Sequence, residues 1–168
     1  MIRKKASMIV FLTIFLLSIC MIPTPAENVE KPLLYVDPPT VLDLEPCRNF
    51  TIEVKIANIT DLYGFDLKLS WDPSILEYVS HTVMVPVETH PGGVLHEPVY
   101  SQMNQVDKDA GMYRCAYSSM GAAEPFNGNG TVFTMKFKIL KKEVTVLPFF
   151  YLKGKYLEVL KRQKWGIR

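Results

Sequence analysis

The sequence predicts an all-β domain folded as a sandwich of two sheets. Three runs alternate apolar and polar residues: Ile52, Val54 and Ile56; Phe65, Leu67, Leu69 and Trp71; and Phe133, Met135, Phe137 and Ile139. A period of two is the mark of a strand with one buried face. Between such runs lie dense turn formers, such as Asp72-Pro73-Ser74, Pro91-Gly92-Gly93 and Asn127-Gly128-Asn129-Gly130. Many short strands, each with a single apolar face, bury that face against a second sheet.

The chain opens with a different signal. Arg3, Lys4 and Lys5 precede an apolar run from Met8 to Ile22, and Pro23-Thr24-Pro25-Ala26 follows. Basic, greasy and small residues in that order read as a secretory signal peptide over residues 1–26, cut after Ala26. The apolar run is shorter than the roughly 20 residues of a spanning helix, so no transmembrane anchor is expected after cleavage. A lipidation box ending at Cys20 is disfavoured, because Ile19 is too large for one. The expected destination is secreted, extracellular or at the cell surface.

From Glu27 onward the chain is long enough for one well-buried domain, placed at residues 27–152, with a basic tail at 153–168. The net charge of +2 conceals a division. Residues 27–140 hold 8 Lys/Arg against 15 Asp/Glu, a net of −7, whereas residues 141–168 hold 8 against 2, a net of +6. A nucleic-acid partner needs a basic stripe across the domain, and this body is acidic.

Along the body, Leu33–Val36 is the first strand, followed by Thr51–Ile59 and Phe65–Trp71. Trp71 closes the core beside a tight turn that Asp72 caps and Pro73 presets. Further strands are expected at Ile75–Ser80, Val94–Tyr100, Met112–Ser118, Phe133–Ile139 and Val144–Tyr151. Asp66 and Lys68 alternate with core residues and so face solvent.

Catalytic signatures are missing. There is no Gly-X-Ser-X-Gly elbow, and no pair of acids is spaced for glycoside hydrolysis. His81, His90 and His96 lack the short paired spacing of zinc ligands, so no metal site is assigned. Asp107-Lys108-Asp109 opens like a calcium loop, but Gly111 and Ser118 stand where an EF-hand needs ligands, which leaves a hairpin turn. Cys47 and Cys115 are candidates for a disulfide in an oxidising compartment; two buried free thiols are the alternative. Asn49, Asn58 and Asn129 each begin an Asn-X-Thr sequon, a glycosylation candidate.

The block Tyr63-Gly64-Phe65-Asp66-Leu67-Lys68-Leu69-Ser70-Trp71-Asp72-Pro73-Ser74-Ile75-Leu76-Glu77 resembles the aromatic–Asp–Pro–x–hydrophobic–Leu segment of cohesin domains. Gly130-Thr131-Val132-Phe133 through Ile139 resembles the same family's Gly-x-hydrophobic-Phe strand, though related carbohydrate-binding modules share it. The resemblance spans Val36 to Ile139. It implies a jelly-roll sandwich of eight or nine strands without catalysis, and a dockerin-type protein partner bound on one flat sheet. It also implies no cofactor here, since dockerins carry their own calcium. Asp66 matches a contact position of the family; Lys68 lies beside it, and Arg114 and Ala116 on the neighbouring strand are further partner-binding candidates. On this reading an acidic-rimmed sheet accepts Lys, Arg, Ser and Thr from the partner.

Cohesins end with two further strands. Val144–Tyr151 supplies one, but the basic remainder does not look like the other, and a missing strand would leave an open sheet edge. Two other functions fit a sandwich of this kind. A polysaccharide-binding module would use Tyr100, Tyr113 and Tyr117 as its platform; a structural cell-surface protein would need no ligand.

Overall fold

The computed structural model describes residues 31–39, 41, 45–141 and, as backbone, 149–151. The signal peptide and the basic tail at 153–168 lie outside the described residues, as does the first part of the expected strand Val144–Tyr151. The described residues form eight strands and no helix: β1 (Leu33–Asp37), β2 (Asn49–Leu62), β3 (Gly64–Ser70), β4 (Leu76–Val83), β5 (Val99–Asp107), β6 (Met112–Ser119), β7 (Phe126–Ile139) and β8 (Phe149–Tyr151). They make two antiparallel four-stranded sheets, in the orders β1-β2-β7-β4 and β5-β6-β3-β8.

The alternating residues supply the core as expected. Ile52, Val54 and Ile56 from β2 meet Phe133, Met135, Phe137 and Ile139 from β7, and face Phe65, Leu67 and Leu69 across the sandwich. Trp71 closes this core at one end, edge-on to Phe137 with ring centroids 5.2 Å apart. The corner after it is the expected capped turn: the Ser74 amide donates to Asp72 Oδ1 at 2.8 Å. The Ser74 hydroxyl, and after it this amide bond, hold the Asp72 carboxyl below its usual range, because they favour the charged form. Gly111 packs against the same corner; a Cβ there would meet the Trp71 carbonyl oxygen at 2.2 Å.

Two segments depart from expectation. The strand expected at Val94–Tyr100 begins only at Val99 and continues to Asp107, because Val94 and Leu95 are drawn into the core by a loop. That loop is tied by the Val94 amide to the Met84 carbonyl and by the Val87 amide to the Leu95 carbonyl. The turn expected at Asn127–Gly130 is part of the long strand β7. There the β2–β7 register slips between Ile56 and Ile59 and again between Ile59 and Leu62. The slips place Asn58 and Asp61 at φ of 57° and 54°. Side chains replace the lost ladder bonds: the Asn58 amide donates to Asn129 Oδ1 at 2.8 Å, and the Asp61 amide to Asn127 Oδ1 at 2.9 Å. Asn is a turn former in sequence because its amide substitutes for backbone; here it does so for a bulge.

The two cysteines are free thiols, so the candidate disulfide is not formed, and of the two only Cys115 is buried. Cys115 sits on the inner side of β6 in the core, while Cys47 is exposed at a turn whose amide donates to the Ile139 carbonyl in the other sheet. Burial pushes the Cys115 thiol up to about 12.

Candidate functional site

The antiparallel pairing of β3 with β6 sets Asp66 opposite Ala116 and Lys68 opposite Arg114. Pairing of β6 with β5 extends the same face, with Met103 opposite Ala116, Gln105 opposite Arg114 and Asp107 opposite Met112. Directly paired residues share a face. The four sequence-predicted partner residues, Asp66, Lys68, Arg114 and Ala116, therefore stand together on the outward side of the β5-β6-β3-β8 sheet.

One feature of their arrangement differs from expectation. Asp66 is not an open carboxylate. Arg114 reaches it across the strands, with Nε donating to Oδ1 at 3.1 Å and Nη2 to Oδ2 at 2.7 Å. This two-pronged pair raises the Arg114 guanidinium above its already high ordinary value. The Arg114 side chain is 38% exposed and that of Asp66 22%, so the cation is the more accessible member. Ala116, 7% exposed, forms a low point of the face between Asp66 and Met103. Beside it Met103, Gln105, Val106, Asp107, Met112 and Arg114 line a shallow depression of about 410 Å³.

The inner sides of the same strands are core. Tyr113 and Cys115 are wholly buried, and Tyr117 packs on Phe65 at 5.8 Å between ring centroids. Tyr113 is thus edge-on to Phe133 at 5.0 Å, and burial raises its phenol far above the usual range. Of the three tyrosines considered as a sugar platform, Tyr100 alone is exposed outward, so the platform is not assembled.

The histidines are spread apart, each engaged by protein. His81 on β4 accepts or donates at 2.6 Å with the Tyr78 hydroxyl and lies 2.9 Å from Asn104 Oδ1 on β5. Tyr113 donates to the same Asn104 oxygen at 3.0 Å, which joins the edges of the two sheets. His90 contacts Thr89 at 2.9 Å, and His96 contacts Glu88 at 2.8 Å. Among the described residues no three metal-ligating side chains converge. The Asp107–Gly111 segment is a hairpin turn, in which the Ala110 amide donates to Asp107 Oδ1 at 2.9 Å. Of the sequon asparagines, Asn49 and Asn129 are exposed and Asn58 is half-buried in the bulge.

Sequence reasoning missed Met103, Gln105 and Met112. The period of two fails in Ser101–Asp107, because a register shift between Ser101 and Met103 disrupts it. The usable signal was the turn before Met112: a hairpin turn requires a partner strand of comparable length on its other side.

A family model for the cohesin domain matches residues 36–149. Among solved structures, a type I cohesin–dockerin complex from Clostridium thermocellum is similar, at 12% identity and a TM-score of 0.61, covering 83% of this chain and 100% of that one. The third ScaC cohesin of Acetivibrio cellulolyticus, in complex with the ScaB dockerin, gives 10% identity and a TM-score of 0.57, covering 82% and 97%. A non-cellulosomal cohesin from the archaeon Archaeoglobus fulgidus gives 14% identity and 0.56, covering 83% and 92%. No curated protein sequence matches the chain.

Proposed function

The chain belongs to the cohesin domain family, and from that premise we propose that it is an exported, non-catalytic module that docks a dockerin-type protein partner. The observation that carries this reading is the outward face of the β5-β6-β3-β8 sheet. It is continuous across β3, β6 and β5, and it sets the bidentate Asp66–Arg114 pair among the side chains of Ala116, Met103 and Met112. The similar structures that contain a dockerin belong to the same fold, which supports the class of partner. The basic and apolar leader supports export. Asp66, Lys68, Arg114 and Ala116 are the residues assigned to the contact.

A pull-down tests the assignment. The exported chain, immobilised, is exposed to the secreted proteins of its own source beside an Ala116→Arg variant. Capture of a dockerin-bearing protein by the parent and its loss by the variant is the expected result. Equal capture by both would move the contact off this face. Retention of a polysaccharide with no dockerin-bearing protein would replace the reading.

A further inference from the structure

The docking reading above leaves open which charge on this face meets the partner, and the Asp66–Arg114 pair answers it. A guanidinium carries five N–H donors in a rigid fork. Asp66 takes one from Nε and one from Nη2. Both Asp66 oxygens are thereby occupied on their Arg114 side, and Asp66 is the more covered of the two side chains. A lysine or arginine arriving at Asp66 would therefore meet the Arg114 charge at the same place. Like charge brought together at an interface costs affinity. The three remaining N–H donors of Arg114 belong to a fork held fixed by Asp66, so little rotamer freedom is lost when they engage an acceptor. Arg114 also forms part of the wall of the depression to which Met103 and Met112 bring apolar side chains.

We infer, on the strength of the docking reading, that Arg114 is the contact residue and Asp66 its positioning residue, and that the partner offers a carboxylate next to an apolar side chain. The carboxylate takes the outer N–H groups of Arg114, and the apolar side chain enters between Met103 and Met112. Methionine adapts its shape to such a group without a fixed rotamer. The preferred partner charge is thus negative, the reverse of what the acidic body and a free Asp66 would select.

A yeast-displayed panel of dockerin domains, with acidic, neutral and basic contact surfaces, serves as the probe. It is sorted against the parent chain, Arg114→Gln, Arg114→Lys, Asp66→Asn and Asp66→Ala, each checked for an unchanged thermal melt. The expected result has four parts. Dockerins kept by the parent carry Asp or Glu at the contact. Arg114→Gln weakens them about tenfold or more. Arg114→Lys does not rescue them, since a point charge lacks the fork. Asp66→Asn, which keeps an acceptor for the guanidinium, loses only about threefold, whereas Asp66→Ala approaches the Arg114→Gln loss. Retained dockerins that present Lys or Arg, with Asp66→Asn the most damaging change, would overturn the inference and leave the docking reading standing. Failure of the folded parent to retain any dockerin would overturn both.

Discussion

The outer face of the β1-β2-β7-β4 sheet and that of the β5-β6-β3-β8 sheet are built from similar strands but arrange charge differently. On the first, charges alternate along and across strands: Lys55 lies 2.6 Å from Asp37 and 2.8 Å from Glu53, and Lys138 lies 3.1 Å from Glu77. The two carboxylates raise Lys55 above the ordinary lysine value, Asp37 contributing most. Such a ladder stays solvated, and covering it would strip water from several ions at once. On the second face a bidentate pair, Asp66 with Arg114, stands beside Ala116, Met103 and Met112, with Lys68 and Asp107 farther along the strands. That face is cheaper to desolvate. A sandwich needs two covered inner faces, but only one outer face needs to be suited to a partner.

The comparison is sharpest within β6, which serves both sides. Tyr113→Ala on its inner side should cost about 3–5 kcal/mol, read from the denaturation midpoint, because it opens a cavity beside Phe133. Ala116→Arg on its outer side should leave the melt nearly unchanged and weaken dockerin binding by about 2 kcal/mol or more, roughly 30-fold. A control on the ladder face, Thr134→Arg, should leave binding unaltered; a comparable loss from it would erase the distinction between the faces.

The buried side of β6 also sets the response to alkali. Cys115 begins from an ordinary value of 9.0 and is held up to about 12, so the unfolded thiol ionises first and the unfolded state binds fewer protons above pH 9. Stability should therefore be full below that value and fall between about pH 9 and 12, by at most about 1.4 kcal/mol per pH unit from this group. Tyr113, raised further by burial, adds to the fall at the upper end of that window. Equilibrium denaturation at several pH values, compared with Cys115→Ala, measures it; a flat profile would contradict the burial of the thiol. A thiol reagent at pH 8 should modify Cys47 rapidly and Cys115 only on unfolding.

The smallest effect is expected on the ladder face. Lys55→Met should change stability by no more than about 1 kcal/mol, since exposed ion pairs contribute little. The change should shrink further in 1 M salt. A larger, salt-independent loss would mean that the ladder contributes more than a solvated surface does.

Sequence by itself determined the class of fold, most of the strands and their inner faces. Alternation at Ile52–Ile56, Phe65–Trp71 and Phe133–Ile139 is written residue by residue, and burial obeys it in every case. The alternation put Asp66 and Lys68 on one face of their strand, and the family resemblance supplied the neighbouring strand with Arg114 and Ala116, a pairing the fold has. The Asp72–Pro73 corner was legible because its turn chemistry is local. Three things were decided by tertiary structure alone. The bulges that turn Asn127–Gly130 into strand depend on where β2 slips in register against β7, which no local signal carries. The separation of Cys47 from Cys115 depends on a turn that ties Cys47 to the end of β7 while Cys115 lies on the inner side of β6. The closure of Arg114 onto Asp66 depends on a register that brings residues 48 positions apart within 3 Å, so the pairing of these two charges was not readable from composition. Periodicity is a property of one strand, whereas register and side-chain pairing are properties of two, and the second strand is found only by folding.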